Sequence, residues 1–169
     1  MVAATHIIFL VHGLELLPYA GPSSLSFLAQ RLEDTLAEDF VVHNIQCNKH
    51  SLWRAKTHDG VENGGQRAAD EIRAVVESRK DTLRRISIIG FSLGGLYSRY
   101  VVASLYDEKT KLVCGLEPTH FITLASPHLG VRSFFPMQRL LEIGARVIFG
   151  RTAPAARCSC VMRKDCLKK

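Results

Sequence analysis

Residues Ile86 to Gly95 read Ile-Ser-Ile-Ile-Gly-Phe-Ser-Leu-Gly-Gly, so a β-branched run leads straight into Gly90-x-Ser92-x-Gly94. The following residues, to Tyr106, have helical spacing. A strand, a turn with a central serine and a helix form the context in which this spacing builds a nucleophile elbow. Ser92 then sits at the tip of a sharp turn, with its hydroxyl projecting from the sheet. Gly90 and Gly94 leave room where side chains would collide as strand and helix approach. A serine hydroxyl is a poor nucleophile at neutral pH. It needs a base, usually histidine, and N–H donors for the developing oxyanion. One donor is the backbone N–H of Leu93. The second is expected from the loop after the first strand, Val11-His12-Gly13-Leu14, where Gly13 lets the chain come close and the Leu14 N–H can turn inward. The competing reading of both segments is a plain turn in a structural α/β domain.

The elements that would position these groups alternate along the chain. His6–Val11 reads as a compact apolar strand. Ser23–Glu38 is an amphipathic helix with Leu25, Leu28, Ala29, Leu32 and Leu36 on one face and Ser23 or Ser24 as N-cap. Phe40–Ile45 is a second strand, and Asn63–Arg79 is a second helix with Ala68, Ala69, Ile72, Val75 and Val76 aligned. Ile86–Ile89 is the third strand, Gly94–Leu105 the helix after the elbow and Thr119–Leu124 a fourth strand. Met137–Ile148 is a last helix, apolar at Met137, Leu140, Leu141 and Ile148 and polar at Arg139, Glu142 and Arg146. This alternation predicts an α/β fold with a mostly parallel sheet and helices on both faces. Strands buried on both sides carry unbroken apolar runs, as these do.

The chain has 169 residues, 47% hydrophobic and 22% charged, which suits one globular domain. Its net charge of +6 lies mostly in residues 151–169, where Arg151, Arg157, Arg163, Lys164, Lys168 and Lys169 face one acid, Asp165. Residues 1–150 read as the folded domain and residues 151–169 as a basic, cysteine-containing disordered tail. The near-neutral body carries no nucleic-acid footprint. Cys158, Cys160 and Cys166 match no zinc spacing and no histidine follows them, so no metal is expected. Gly90, Gly94 and Gly95 do not form a dinucleotide or P-loop motif, and no cofactor is expected. Ile7–Val11 is too short for a signal h-region and no run approaches the ~20 apolar residues of a membrane span. The expected location is cytoplasmic.

Taken together, Phe9–Leu14, Thr57-His-Asp-Gly-Val61 with Gly65-Gln-Arg67, Ile86–Tyr100 and Phe121-Ile-Thr-Leu-Ala-Ser-Pro-His-Leu-Gly130 resemble the putative serine esterase family of lipase-like α/β-hydrolases. The resemblance spans residues 6 to about 132. It implies a partial α/β-hydrolase fold, Ser92 as nucleophile, and Leu14 and Leu93 as oxyanion donors. It also implies an acyl-ester or lipid substrate, with peripheral contact to membranes or lipid droplets.

In this fold an Asp or Glu and then a His follow the serine in chain order. In the family those partners lie beyond the fourth strand, so the expectation here is a C-terminally shortened chain lacking both. His120 starts a strand and stands at the wrong end of the sheet. His128 lies just past a strand end, on the side where α/β sites form, and is the remaining candidate base; the resemblance instead places it in a loop near the cleft. Asp107 and Glu108 read as surface residues, and Asp59 and Arg67 as loop-stabilising. The apolar face of Met137–Ile148, with Phe134 and Phe135 before it, could cover an acyl pocket, dip into lipid, or pack on the sheet. Two functions follow: a lipid-directed serine esterase, or an incomplete form that at most binds lipid or protein.

Overall fold

The computed structural model describes residues 4–14, 25–49 and 56–130. Four strands form the sheet: β1 (His6–Val11), β2 (Phe40–Asn44), β3 (Arg85–Phe91) and β6 (Glu117–Leu124), in the order β2-β1-β3-β6 with every pair parallel. Helices α1 (Ser26–Thr35), α2 (Val61–Ser78) and α3 (Leu93–Leu105) make the crossovers. Two short strands, β4 (Tyr106–Asp107) and β5 (Leu112–Val113), form an antiparallel hairpin between α3 and β6.

Alternation along β1 and β3 assigns the helices to faces. Ile7, Phe9, Val11, Ile86 and Ile88 point to one side and meet Ala68, Ala69 and Ile72 of α2 with Leu96, Tyr97 and Val101 of α3. Ile8, Leu10 and Ile89 point to the other side, where Leu28, Ala29 and Leu32 of α1 cover them. The expected α/β sheet with helices on both faces is therefore present. The central strand β1 is buried along its whole length, because neighbours flank it and helices cover both faces.

The element ends differ from expectation. Helix α1 begins after Leu25, which supplies no side-chain cap, and the expected caps Ser23 and Ser24 lie outside the described residues. It stops at Thr35, with Leu36 extended, because the chain must turn at residues 37–39 to deliver Phe40 beside His6. Helix α2 starts two residues earlier than the apolar spacing suggests, and β6 starts at Glu117 rather than Thr119. The β4–β5 hairpin escapes sequence reading because two-residue strands have no period. Asp107 holds its turn, accepting from the Lys109 N–H at 2.9 Å and the Thr110 hydroxyl at 3.0 Å. The expected helix Met137–Ile148 and the basic tail lie outside the described residues.

Candidate active site

Register fixes where the site forms. Val11 is opposite Gly90, so the chain leaving β1 as His12-Gly13 lies alongside Phe91 and Ser92 leaving β3. Ser92 then adopts φ 54° and ψ −125°, a strained conformation for a residue with a Cβ. Neighbouring backbone holds it there: the Ser92 N–H donates to the Leu124 carbonyl at 2.8 Å, and the Gly95 N–H donates to the Ser92 carbonyl at 3.1 Å.

The glycines around Ser92 are required by close approach. A Cβ on Gly94 would strike the Val11 and His12 carbonyl oxygens. One on Gly90 would lie 2.6 Å from the Gly95 Cα, and one on Gly13 would lie 2.8 Å from the Ser92 Cβ and 3.1 Å from the Leu93 nitrogen. The β1 exit, the serine and the first turn of α3 are thus in mutual contact.

The Leu14 and Leu93 amides, the expected oxyanion donors, follow Gly13 and Ser92 directly, and neither donates to a described residue. Leu93 opens α3, where the first N–H groups of a helix have no internal acceptor and the helix dipole favours negative charge. Ser92 is half-buried, and its hydroxyl makes no hydrogen bond to a described residue.

Neither candidate base is hydrogen-bonded to it. His120 shares a hydrogen bond of 3.3 Å with Ser87, which in turn is 2.8 Å from His6. Ser87 stands five residues before Ser92 on β3, roughly 16 Å away at strand rise. Burial, then Arg85 and His120, lower the pKa of His6. His6 pairs with Arg85 at the start of β1 and β3, so this chain of groups sits at the far end of the sheet. His128 is at the correct end, but its Nε2 bonds the Thr123 hydroxyl at 2.9 Å. That bond ties the loop after β6 to its own strand, and Ser126 of the same loop fills the space over Gly95.

Sequence reasoning gave Asp59 and Arg67 no chemistry, and the structure makes them a clamp. Arg67 donates to both Asp59 carboxylate oxygens at 2.6 and 2.9 Å, to the Asn48 side-chain Oδ1 at 2.8 Å and to the Lys56 backbone carbonyl at 2.8 Å. The Asp59 hydrogen bonds hold the Arg67 pKa above its ordinary value. The Tyr97 hydroxyl of α3 donates to the Thr57 carbonyl at 3.2 Å, and Asn48 donates to the Gly64 carbonyl at 2.9 Å. Two loops at the C-terminal end of β2 are therefore fastened to α2 and α3 on the Ser92 side of the sheet.

Glu71 makes a further anchor that sequence reasoning missed. It accepts from His43 at 2.8 Å, from the Gln46 N–H at 3.0 Å and from the Cys47 N–H at 2.7 Å. Burial raises its pKa, but these donors outweigh burial and hold it at about 2. Burial pushes the Cys47 thiol up to about 12, so it is no rival nucleophile. Glu71 gives no sequence signal because its partners come from β2 and the loop after it rather than its own helix. No group of metal-ligating side chains exists among the described residues.

Over residues 2–149 the sequence matches the family described as Putative serine esterase (DUF676). It is also similar to proteins of Saccharomyces cerevisiae. It is 34% identical to "Putative lipase ROG1" over 99 residues, which are 57% of this chain and 14% of that protein. It is 34% identical to "Putative lipase YDR444W" over 103 residues, 57% of this chain and 15% of that protein. A third, "Putative lipase YDL109C", is 32% identical over 68 residues, 40% of this chain and 10% of that protein. The chain thus spans about a seventh of the length of the first two relatives.

Proposed function

The chain belongs to the Putative serine esterase family, and from that premise we propose that it carries the nucleophile and oxyanion site of a hydrolase acting on acyl esters of lipids. The observation that supports this reading is the φ of 54° at Ser92, held beside Gly13 and the start of α3. In the proposed reaction the Ser92 oxygen attacks the ester carbonyl carbon and its proton passes to a base. The Leu14 and Leu93 amides receive the negative oxygen, and the alkoxide leaves as the alcohol. Water then releases the acid from the acyl-enzyme. The ester would be met at the periphery of a membrane or lipid droplet, from the cytoplasmic side. No described helix is long and apolar enough to cross a membrane.

One observation favours a second reading for the chain alone, that of an incomplete site that binds lipid or protein. No described histidine bonds Ser92, and the candidate at the C-terminal end of the strands, His128, is engaged with Thr123. Without its base a serine hydrolase keeps only the weak catalysis of its oxyanion site and binding.

A fluorophosphonate probe tests the proposal. The purified chain should label slowly, and Ser92→Ala should remove the labelling. Labelling that survives in Ser92→Ala, or its complete absence in the folded wild-type chain, would overturn the assignment of the nucleophile. Rapid stoichiometric labelling with short-chain ester turnover would discard the second reading and show that a working base is present.

A further inference from the structure

We propose that His6, Ser87 and His120 form an acid-sensitive latch that fastens β6 to the body of the sheet. The three residues stand on β1, β3 and β6, and by alternation they share the face of Ile8, Leu10 and Ile89. Ser87 Oγ lies 2.8 Å from His6 Nε2 and 3.3 Å from His120 Nδ1. The two rings stack, with planes 8° apart and centroids at 6.4 Å. A bulge makes the arrangement possible. Ile86 is opposite Pro118 but Ser87 is opposite His120, so Thr119 is the extra residue and His120 takes its place against Ser87. His6 and Ser87 are each 2% exposed, whereas His120 is exposed to solvent.

The buried end of the chain of hydrogen bonds fixes its direction. His6 Nδ1 is buried without a hydrogen-bond partner. A bare buried N–H is costly, so the neutral His6 ring carries its proton on Nε2 and donates it to Ser87 Oγ. The Ser87 hydroxyl then donates to His120 Nδ1. A proton added at His120 Nδ1 turns that acceptor into a donor. The Ser87 hydroxyl must then turn to His6 Nε2, and the His6 proton must move to the partnerless Nδ1. A proton added to His6 instead places a cation in the interior. Burial, then Arg85 of β3 and His120 of β6, oppose that charge and lower the His6 pKa from 6.5. Asp39, before β2, favours the charge but is already paired with Arg85 at 3.1 Å. Glu117 of β6 stands opposite Arg85. The other neighbours are apolar: the Phe40 ring of β2 at 4.7 Å, and Leu28 and Leu32 of α1 over the same face. Either protonation therefore breaks the link that ties β6 through β3 to β1. The His6 pKa is lower in the folded chain, so the contribution of the latch is full above pH 6.5 and is lost as pH falls below it. The strand so released is the one whose Leu124 carbonyl receives the Ser92 N–H.

Two measurements on the whole chain test the latch independently of Ser92 chemistry. Proton–nitrogen correlation of the imidazoles at pH 7.5 should find the proton of both His6 and His120 on Nε2. A His6 proton on Nδ1, or a His6 that titrates at or above pH 6.5, would overturn the proposal. Amide exchange, expressed as protection factors, should weaken at least tenfold between pH 7.5 and 5.5 at the β6 amides bonded to β3, while α2 amides stay protected. Ser87→Ala keeps the volume and removes the relay, so it should show the weaker β6 protection at both pH values. His120→Asn keeps an acceptor that takes no proton, so it should hold the stronger protection at both. Wild-type β6 protection indifferent to pH, or an undiminished pH response in either variant, would overturn the latch. Its failure would leave the reading of Ser92 untouched.

Discussion

At Ser92 a side chain is held where L-residues are strained, at a cost of about 1–3 kcal/mol. The compensation comes from contacts too close for any side chain but hydrogen at positions 13, 90 and 94. Gly13→Ala tests this. Its Cβ would fall 2.8 Å from both the Ser92 Cβ and the Phe91 carbonyl oxygen, so the β1 exit must move. A loss of about 1–3 kcal/mol in thermal unfolding is expected from the overpacking. Fluorophosphonate labelling should fall at least tenfold, because the Leu14 amide moves with the loop. Unchanged labelling would separate Gly13 from the site. The elbow residues were legible because their constraint is local: strand, turn and helix are consecutive. Thr123, Ser126 and His128 were legible only as a motif, since their contacts with one another and with Gly95 depend on how β6 docks beside β3.

Among the elements, α2 does more than cover the sheet. Through Glu71 it fixes residues 46 and 47 at the end of β2, and through Arg67 it fixes residues 48 and 56–59. Glu71 has a folded pKa of about 2, below its ordinary 4.5, so its contribution is full above about pH 4.5 and is lost as pH falls toward 2. That contribution is on the order of 3 kcal/mol at neutral pH. Denaturant titrations at several pH values should therefore show Glu71→Gln less stable than wild type at pH 7, with the gap closing between about pH 4.5 and 2. A gap independent of pH would assign the loss to packing rather than to the carboxylate. Helix faces were legible from apolar spacing, whereas helix ends were not. Leu25 and Gly60 precede α1 and α2 without side-chain caps, so no residue type marked the starts.

At the scale of the whole molecule, β2 and β6 are the two edges of the sheet among the described residues. Strand β6 pairs only with β3 among the described residues, and Phe121, Ile122 and Leu124 stay exposed on it. An unpaired apolar edge recruits further strands. The chain should therefore show species above its 18.8 kDa mass in size exclusion with light scattering at high micromolar concentration. Ile122→Lys, on the face away from α3, should shift it toward monomer. A monodisperse wild-type monomer would refute edge association. The sequence by itself determined the order of the four sheet strands and the three described helices, the α/β class and the strand-turn-helix that holds Ser92, because each rests on periodicity or on neighbours within a few residues. Only tertiary structure decided which crossover lies on which face, that His120 stands with Ser87 and His6, and that Arg67 and Glu71 clamp the loops after β2. Those outcomes depend on register and on groups tens of residues apart, whose meeting costs chain entropy that local sequence does not record.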